Sequence, residues 1–291
     1  MTITVLDSYT EMHATLTAPL ADHPELLRRM LEPTAGMFRY FPGTPDLVQL
    51  HHMGGAFRVD REVDGALAGL EALHDARAWD RIETAMHAAL EVQLNATPDI
   101  EVPDIQVMIV LGDPTDSHFM DVALGVTGNG GISGYVSLTL WPSAENLARL
   151  ESTAVHEMNH NLRYSNVRWD PETVTVGEHV ISEGLADAFA RHLYGDLGYT
   201  RIGVPSLHDD AVYDKVVAGL GVRGMQNFAA YVHGDAIAAR FGGTPVGLPT
   251  GAGYAVGNRL VDAYLASTGQ QAPEVLLVDS AAVIELVTPG R

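Results

Sequence analysis

The chain has 291 residues, of which 46% are hydrophobic, and its formal net charge is −20. This composition is sufficient for a core in one large domain or two small ones, and the negative charge disfavours nucleic acids and anionic membranes as partners. The absence of cysteine excludes disulfides and thiolate metal sites.

The first hundred residues predict mainly helices. After a short strand over residues 2–6, apolar residues at three- and four-residue steps predict helices over residues 24–31, 63–73 and 79–94. We expect a cytoplasmic protein, because residues 1–20 do not resemble a signal peptide and no apolar run reaches the roughly 20 residues that span a bilayer. Residues 1–100 are expected to pack on a domain of residues 101–291, with one continuous domain as the alternative.

Two strands are predicted between residues 100 and 140. Residues 105–111 are almost entirely apolar and are followed by Gly112-Asp113-Pro114, which is typical of a buried strand. Residues 134–140 alternate in the manner of a strand with one buried face. Between the two, Gly128-Asn129-Gly130-Gly131 predicts a turn.

Residues 156–160 read His-Glu-Met-Asn-His, the H-E-x-x-H spacing of zinc-dependent hydrolases. They lie in a predicted helix over residues 143–164 that has Ser143 as its N-cap and is not interrupted by Pro or Gly. Four residues of helix place His156 and His160 on one face, so both imidazoles can bind one ion. Glu157 is rotated by about 100° from His156 and can approach a metal-bound water.

A second helix, predicted around residues 181–193, carries the third candidate ligand. Glu183 and Asp187 are four residues apart and therefore face the same side of this helix. We predict that Glu183 binds the metal and that Asp187 accepts the free ring N–H of His156 and so orients it. Glu178 and His179 are the alternative third ligands.

The two helices together resemble the gluzincins, the thermolysin-like zinc metallopeptidases. Over residues 105–286 the chain is more specifically similar to a bacterial domain-of-unknown-function family of predicted zinc-dependent proteases. Members of that family have an H-E-x-x-H helix, an E-G-L-A helix and a G-Y-x-x-G segment, which here are residues 156–160, 183–186 and 253–257. The metzincin pattern fits less well, because Arg163 and Asn166 stand where it requires Gly and His.

Two His and one Glu leave a coordination position for water, so we expect one Zn²⁺ per chain, with Glu157 as general base. The developing oxyanion needs a further donor. Tyr254 is the candidate, because it lies between two glycines and because the resemblance places a tyrosine there. His233 and Tyr231 are the alternatives.

The resemblance also implies how substrate binds. In zincins the strand before the metal helix is an exposed edge that pairs with an extended peptide. Substrate contacts are therefore expected from Tyr135, Val136 and Ser137, with a sheet edge that binds no ligand as the alternative.

The remaining pattern completes the predicted fold. Helices are predicted over residues 210–220 and 225–241, followed by a break rich in Gly and Pro over residues 242–253. The fold class is α+β, with a zincin-like core of a small mixed sheet and the two metal helices, and a mainly helical N-terminal portion.

We expect a metallopeptidase whose partner is a peptide or small amide substrate. A zinc-dependent amidase acting on a non-peptide metabolite and a zincin-like scaffold without turnover are the alternatives. Glu157 disfavours the scaffold, since a binding module needs no base beside the water.

Overall fold

The computed structural model describes residues 2–40 and 43–288. The strands in this part of the chain are β1 (Ile3–Val5), β2 (Ile105–Leu111), β3 (Val126–Ile132) and β4 (Tyr135–Leu140). The α-helices are α1 (Ser8–Thr17), α2 (His23–Leu31), α3 (Leu47–Met53), α4 (Ala66–Asp75), α5 (Ala78–Ala96), α6 (Ala144–Leu147), α7 (Leu150–Asn166), α8 (Val176–Tyr194), α9 (Asp210–Gly219), α10 (Asp235–Arg240), α11 (Ala252–Thr268) and α12 (Ser280–Val287). None of the described helices is both long and apolar enough to cross a membrane.

The four strands form one mixed sheet in the order β1-β2-β4-β3. β1 and β4 both pair with β2 in parallel, whereas β3 pairs with β4 antiparallel. The predicted combination of helices and a small mixed sheet is confirmed. Since β1 pairs with β2, residues 3–5 belong to the same sheet as residues 105–111. The predicted boundary near residue 100, between a helical N-terminal portion and a second domain, stays a prediction.

By its internal contacts the chain divides into two compact units, residues 1–88 with 102–161 and residues 89–101 with 162–291. The first unit contains the sheet. Its core is formed by apolar side chains of β2 and β4 and of the helices packed on the sheet, which include Met12, Leu70, Val107, Ile109, Val136 and Leu138. Ser8 at the start of α1 donates a 2.6 Å hydrogen bond to the Ile109 carbonyl oxygen.

The second unit is helical and centres on the packing of α8 against α11. Gly184 lies against the backbone of Gly257, and Gly257 in turn lies against the Val180 carbonyl. A Cβ at either glycine would overlap those atoms, so only glycine permits this close approach of two helix backbones. The E-G-L-A and G-Y-x-x-G motifs therefore each supply one half of a helix contact.

The turn predicted at residues 128–131 is wrong, because these residues lie in β3. The glycines among them allow the backbone of β3 to lie close to α7. A Cβ on Gly128 would overlap the Glu157 carboxylate, and one on Gly130 would overlap the Glu157 carbonyl oxygen. The chain instead reverses between β3 and β4 at Ser133 and Gly134, where Gly134 has a φ of 89°.

The expectation that residues 134–140 form an edge strand is also wrong. β4 is hydrogen-bonded to β2 on one side and to β3 on the other, so its backbone groups are already paired. The alternation that predicted the strand records which side chains are buried and carries no information on strand order. Among the described strands β1 and β3 form the edges of the sheet.

Two predicted helices are interrupted. The helix predicted from residue 143 is divided into α6 and α7 at Ala148, where the Arg149 N–H donates to Asn146, three residues back; Ser143 caps α6 as predicted. Residues 225–241 form a 3₁₀ turn (Met225–Asn227), a π-helix (Ala229–His233) and then α10. Gly234, with a φ of 91°, separates the π-helix from α10.

Candidate metal centre

The H-E-x-x-H residues lie in the interior of α7, as the helical period predicts. The apolar stripe of this helix, formed by Leu150, Ala154, Met158 and Leu162, is fully buried. Its first turn is held by Arg81, whose guanidinium donates to both Glu151 oxygens at 2.7 and 2.8 Å and to the Leu147 carbonyl oxygen at 2.8 Å. A packed and anchored helix presents its side chains in a fixed direction.

The two histidines of the motif point their Nε2 atoms at each other. These atoms are 3.0 Å apart, and the rings are inclined by 81°. Two nitrogens bound tetrahedrally to one zinc ion at 2.0–2.1 Å would lie about 3.3 Å apart. The observed pair needs to open by only a few tenths of an ångström to bind one ion.

His156, His160 and Glu183 form the one group of possible metal ligands found in the described part of the chain, with ligand atoms within 4.8 Å of one another. All three residues are at most 6% exposed. Two imidazoles and one carboxylate are the donors of many catalytic zinc sites, so this donor set fits Zn²⁺. Glu157 is also buried, at 8% exposure, and its carboxylate lies against Gly128 of β3.

The two alternative third ligands have other partners. Glu178, in the first turn of α8, accepts two hydrogen bonds from Arg163, at 2.9 Å from Nε and 3.0 Å from Nη2. The His179 ring packs edge-on against Phe228, with centroids 4.6 Å apart. The structure places Glu183, and neither of these residues, in the candidate metal group.

Asp187 is fully buried one turn after Glu183. Its carboxylate accepts hydrogen bonds from the Thr200 N–H at 3.1 Å, the Thr200 hydroxyl at 2.7 Å and the Asn258 amide at 2.7 Å. Asn258 also donates to the Tyr254 carbonyl oxygen at 2.9 Å. The predicted bond from His156 to Asp187 stays a prediction. Sequence reasoning missed Thr200 and Asn258, which lack any local pattern that ties them to Asp187.

Tyr254 lies in the first turn of α11, and its hydroxyl is 3.4 Å from His233 Nδ1. His233 ends the π-helix, a type of helix that is found frequently at functional sites. Two of the residues weighed as alternatives for the oxyanion donor are therefore neighbours. The third, Tyr231, packs its ring on Gly219.

The proposed substrate residues of β4 differ in their surroundings. The Tyr135 hydroxyl lies against Gly36, where a Cβ would overlap it. Val136 is fully buried, and Ser137 is half-buried. Their backbones cannot pair with a peptide, because both sides of β4 are occupied; whether their side chains contact substrate stays a prediction.

Tyr164, close to the candidate ligands, has a hydroxyl whose pKa is raised, so the protonated, neutral form is favoured. This residue is one turn after His160 in α7. Burial is the main reason that the pKa of its hydroxyl is raised above the ordinary value, and the negative charges of Glu178 and Glu183 raise this pKa further. The Tyr164 hydroxyl therefore keeps its proton throughout the neutral range.

Comparison with known proteins agrees with the site. Residues 79–285 match a family described as predicted Zn-dependent protease (DUF2268), a match that begins in α5 and extends into α12. The chain is also 30% identical over 230 residues to the uncharacterized protein YjfC of Bacillus subtilis (strain 168), an alignment covering 77% of this chain and 74% of that protein. No solved structure matches the chain. By the extent of the family match, this protein belongs to the family of predicted Zn-dependent proteases.

Proposed function

We propose that this protein is a zinc-dependent metallopeptidase with one Zn²⁺ per chain, bound by His156, His160 and Glu183. The observation that carries this proposal is the buried group of two imidazoles and one carboxylate within 4.8 Å. The family description and the H-E-x-x-H sequence support the same assignment. A zincin-like core is part of the proposal, since two ligands come from the H-E-x-x-H motif of α7 and the third from α8, where Glu183 precedes Asp187 by four residues.

Zinc bound by this donor set supplies a Lewis acid that acidifies a water and polarises a carbonyl group. Glu157 takes the proton of the attacking water and delivers it to the leaving amine. The Glu157 carboxylate lies against Gly128 of β3 and is not one of the three candidate ligands. This is the arrangement that a general base needs, since a base must not occupy a coordination position of the metal. Tyr254, with His233 beside its hydroxyl, donates to the developing oxyanion, and Asp187 orients His156.

The strand that binds an extended peptide is proposed to be β3 rather than β4. β3 is an edge of the described sheet, and its residues Thr127, Gly128 and Asn129 are exposed. An edge strand offers unpaired N–H and C=O groups to a peptide. A peptide paired with β3 would lie beside Glu157, because Gly128 and Gly130 do.

This edge favours the peptidase over an amidase that acts on a small metabolite, since β-strand pairing needs a substrate with a peptide backbone. The proposed partner is a peptide or small amide substrate, and neither nucleic acid nor a membrane. We place the reaction in the cytoplasm.

The test compares Glu157→Gln, Glu183→Gln and Glu178→Gln with the parent protein. Zinc per chain is measured by elemental analysis, and hydrolysis is measured with a quenched-fluorescence peptide library. We expect about one zinc in the parent and in Glu157→Gln, with turnover lowered by a factor of at least about 100 in Glu157→Gln. Glu183→Gln should lose most of its zinc, whereas Glu178→Gln, the matched change on the same helix, should keep it.

Two results would overturn the proposal. Full hydrolysis by Glu157→Gln would remove the base. Cleavage of acylated amines that are not peptides, with no cleavage anywhere in the peptide library, would favour the amidase.

A further inference from the structure

Asn161 follows His160 directly on α7 and is fully buried. Its side-chain amide lies within hydrogen-bond distance of three carbonyl oxygens, those of Gly130 at 3.0 Å, Ile132 at 3.0 Å and Tyr135 at 2.8 Å. Its side-chain oxygen accepts the Gly134 N–H at 3.0 Å. One side chain thus binds both strands of the β3–β4 hairpin and the turn that joins them.

The hairpin needs such a partner because its pairing is irregular at this end. The register of β3 against β4 shifts between Asn129 and Ile132, which leaves Gly130 and Gly131 as a bulge. A bulge interrupts the ladder of hydrogen bonds between strands, and buried backbone groups must then be paired in another way. The Asn161 amide supplies donors where the neighbouring strand does not.

The same bulge is the part of β3 that contacts the candidate base. Gly130 lies directly on the Glu157 backbone carbonyl, and Gly128 lies on the Glu157 carboxylate. Glu157 and Asn161 are four residues apart and share one face of α7. The helix therefore carries both the base and the group that holds the strand over the base.

We propose that Asn161 is a positioning residue, which fixes the peptide-binding edge of β3 relative to Glu157. This inference rests on the proposed function. Rigid attachment of β3 to the helix that carries the base places the carbonyl of a paired peptide at a constant distance from Glu157. A misplacement of about 1 Å can cost about 100-fold in rate.

The chain offers a matched control at the other end of the same hairpin. Asn146, also buried, directs its side-chain amide at the carbonyl oxygens of Leu124, Gly125 and Trp141, at 3.0–3.1 Å. These residues adjoin the start of β3 and the end of β4, away from the Gly128–Gly131 segment. Asn146→Ala removes the same kind of clamp without loosening the bulge.

The experiment measures kcat, KM and zinc content of the holoenzyme for Asn161→Ala, the milder Asn161→Ser and Asn146→Ala. It also measures amide hydrogen exchange over residues 126–135. For Asn161→Ala we expect unchanged zinc, faster exchange over residues 130–135, and kcat/KM lowered about 100-fold through both kcat and KM. Asn161→Ser, which retains one donor, should fall between Asn161→Ala and the parent. Asn146→Ala should change kcat/KM by no more than a few-fold.

Loss of zinc from the Asn161 variants would make Asn161 a support of the metal ligands and overturn the inference. Equal kcat/KM losses in Asn161→Ala and Asn146→Ala would reduce its role to general stability and also overturn it. Absence of zinc-dependent hydrolysis in the parent would remove the proposed function. In that event unchanged exchange over residues 130–135 in Asn161→Ala would overturn the clamp separately, and faster exchange would support it.

Discussion

The ion pair between Arg163 and Glu178 gives the sharpest prediction on stability. Arg163 is fully buried near the C-terminal end of α7. Its Nε and Nη2 donate to the two Glu178 oxygens, and its Nη1 donates to the carbonyl oxygens of Leu276 at 2.7 Å and Val278 at 3.0 Å. The guanidinium thus joins α7, the first turn of α8 and the segment before α12.

Glu178→Gln removes the countercharge while retaining the shape of the side chain. Removing one partner of a buried ion pair costs about 3–5 kcal/mol, because the other charge is left buried without compensation. Glutamine still offers one oxygen to the guanidinium, so we expect a loss at the lower end, about 3 kcal/mol of unfolding free energy. Urea unfolding of the zinc-loaded protein, followed by circular dichroism, measures this loss.

Asp210→Asn is the matched control for this experiment. Asp210 pairs with Arg259 at 2.9 Å, but its side chain is 87% exposed. A surface pair of this kind contributes at most about 1 kcal/mol. If the two variants lost the same small amount of stability, the reasoning about the buried pair would be refuted. If Glu178→Gln remained stable but lost its zinc, Glu178 would return as a candidate ligand.

Two further predictions concern other parts of the chain. Gly184→Ala introduces a Cβ that overlaps the Gly257 backbone, so we expect a loss of about 3 kcal/mol of unfolding free energy, measured by urea unfolding. Gly221→Ala, with no atom within 4 Å of its Cβ, should be nearly neutral, and equal effects of the two changes would contradict the tight crossing of α8 and α11. His51 is buried, and burial lowers its pKa from 6.5 to about 3, although its 2.8 Å hydrogen bond to the Phe57 carbonyl oxygen acts in the opposite direction. Because the unfolded chain binds this proton below about pH 6.5 and the folded chain does not until about pH 3, His51 should cost about 2 kcal/mol of stability between pH 7 and pH 5. Subtracting the unfolding free energies of His51→Gln from those of the parent at each pH isolates this cost, and a flat difference would show that His51 is not held neutral.

Several features of this protein could be predicted from local sequence. The H-E-x-x-H helix follows from its apolar period, because a helix is stabilised by contacts between residues three and four apart. β2 was predicted with the bounds that the structure has, since a run of apolar residues of that length is typical of a buried strand. The spacing of Glu183 and Asp187 predicted only that both carboxylates face the same side of one helix; it did not specify that Glu183 is the one grouped with the two histidines.

Only the tertiary structure decided the rest. A glycine permits both a turn and a close approach of two backbones, so Gly128 and Gly130 have the same local signature in either setting. The alternation of β4 specified its buried face but not its two neighbours, and therefore not which strand forms the edge. The amide of Asn161 finds its partners 26 to 31 residues away, and Glu178 finds Arg163 15 residues away. Such pairings depend on where the chain returns in space, which periods of two and 3.6 residues do not encode.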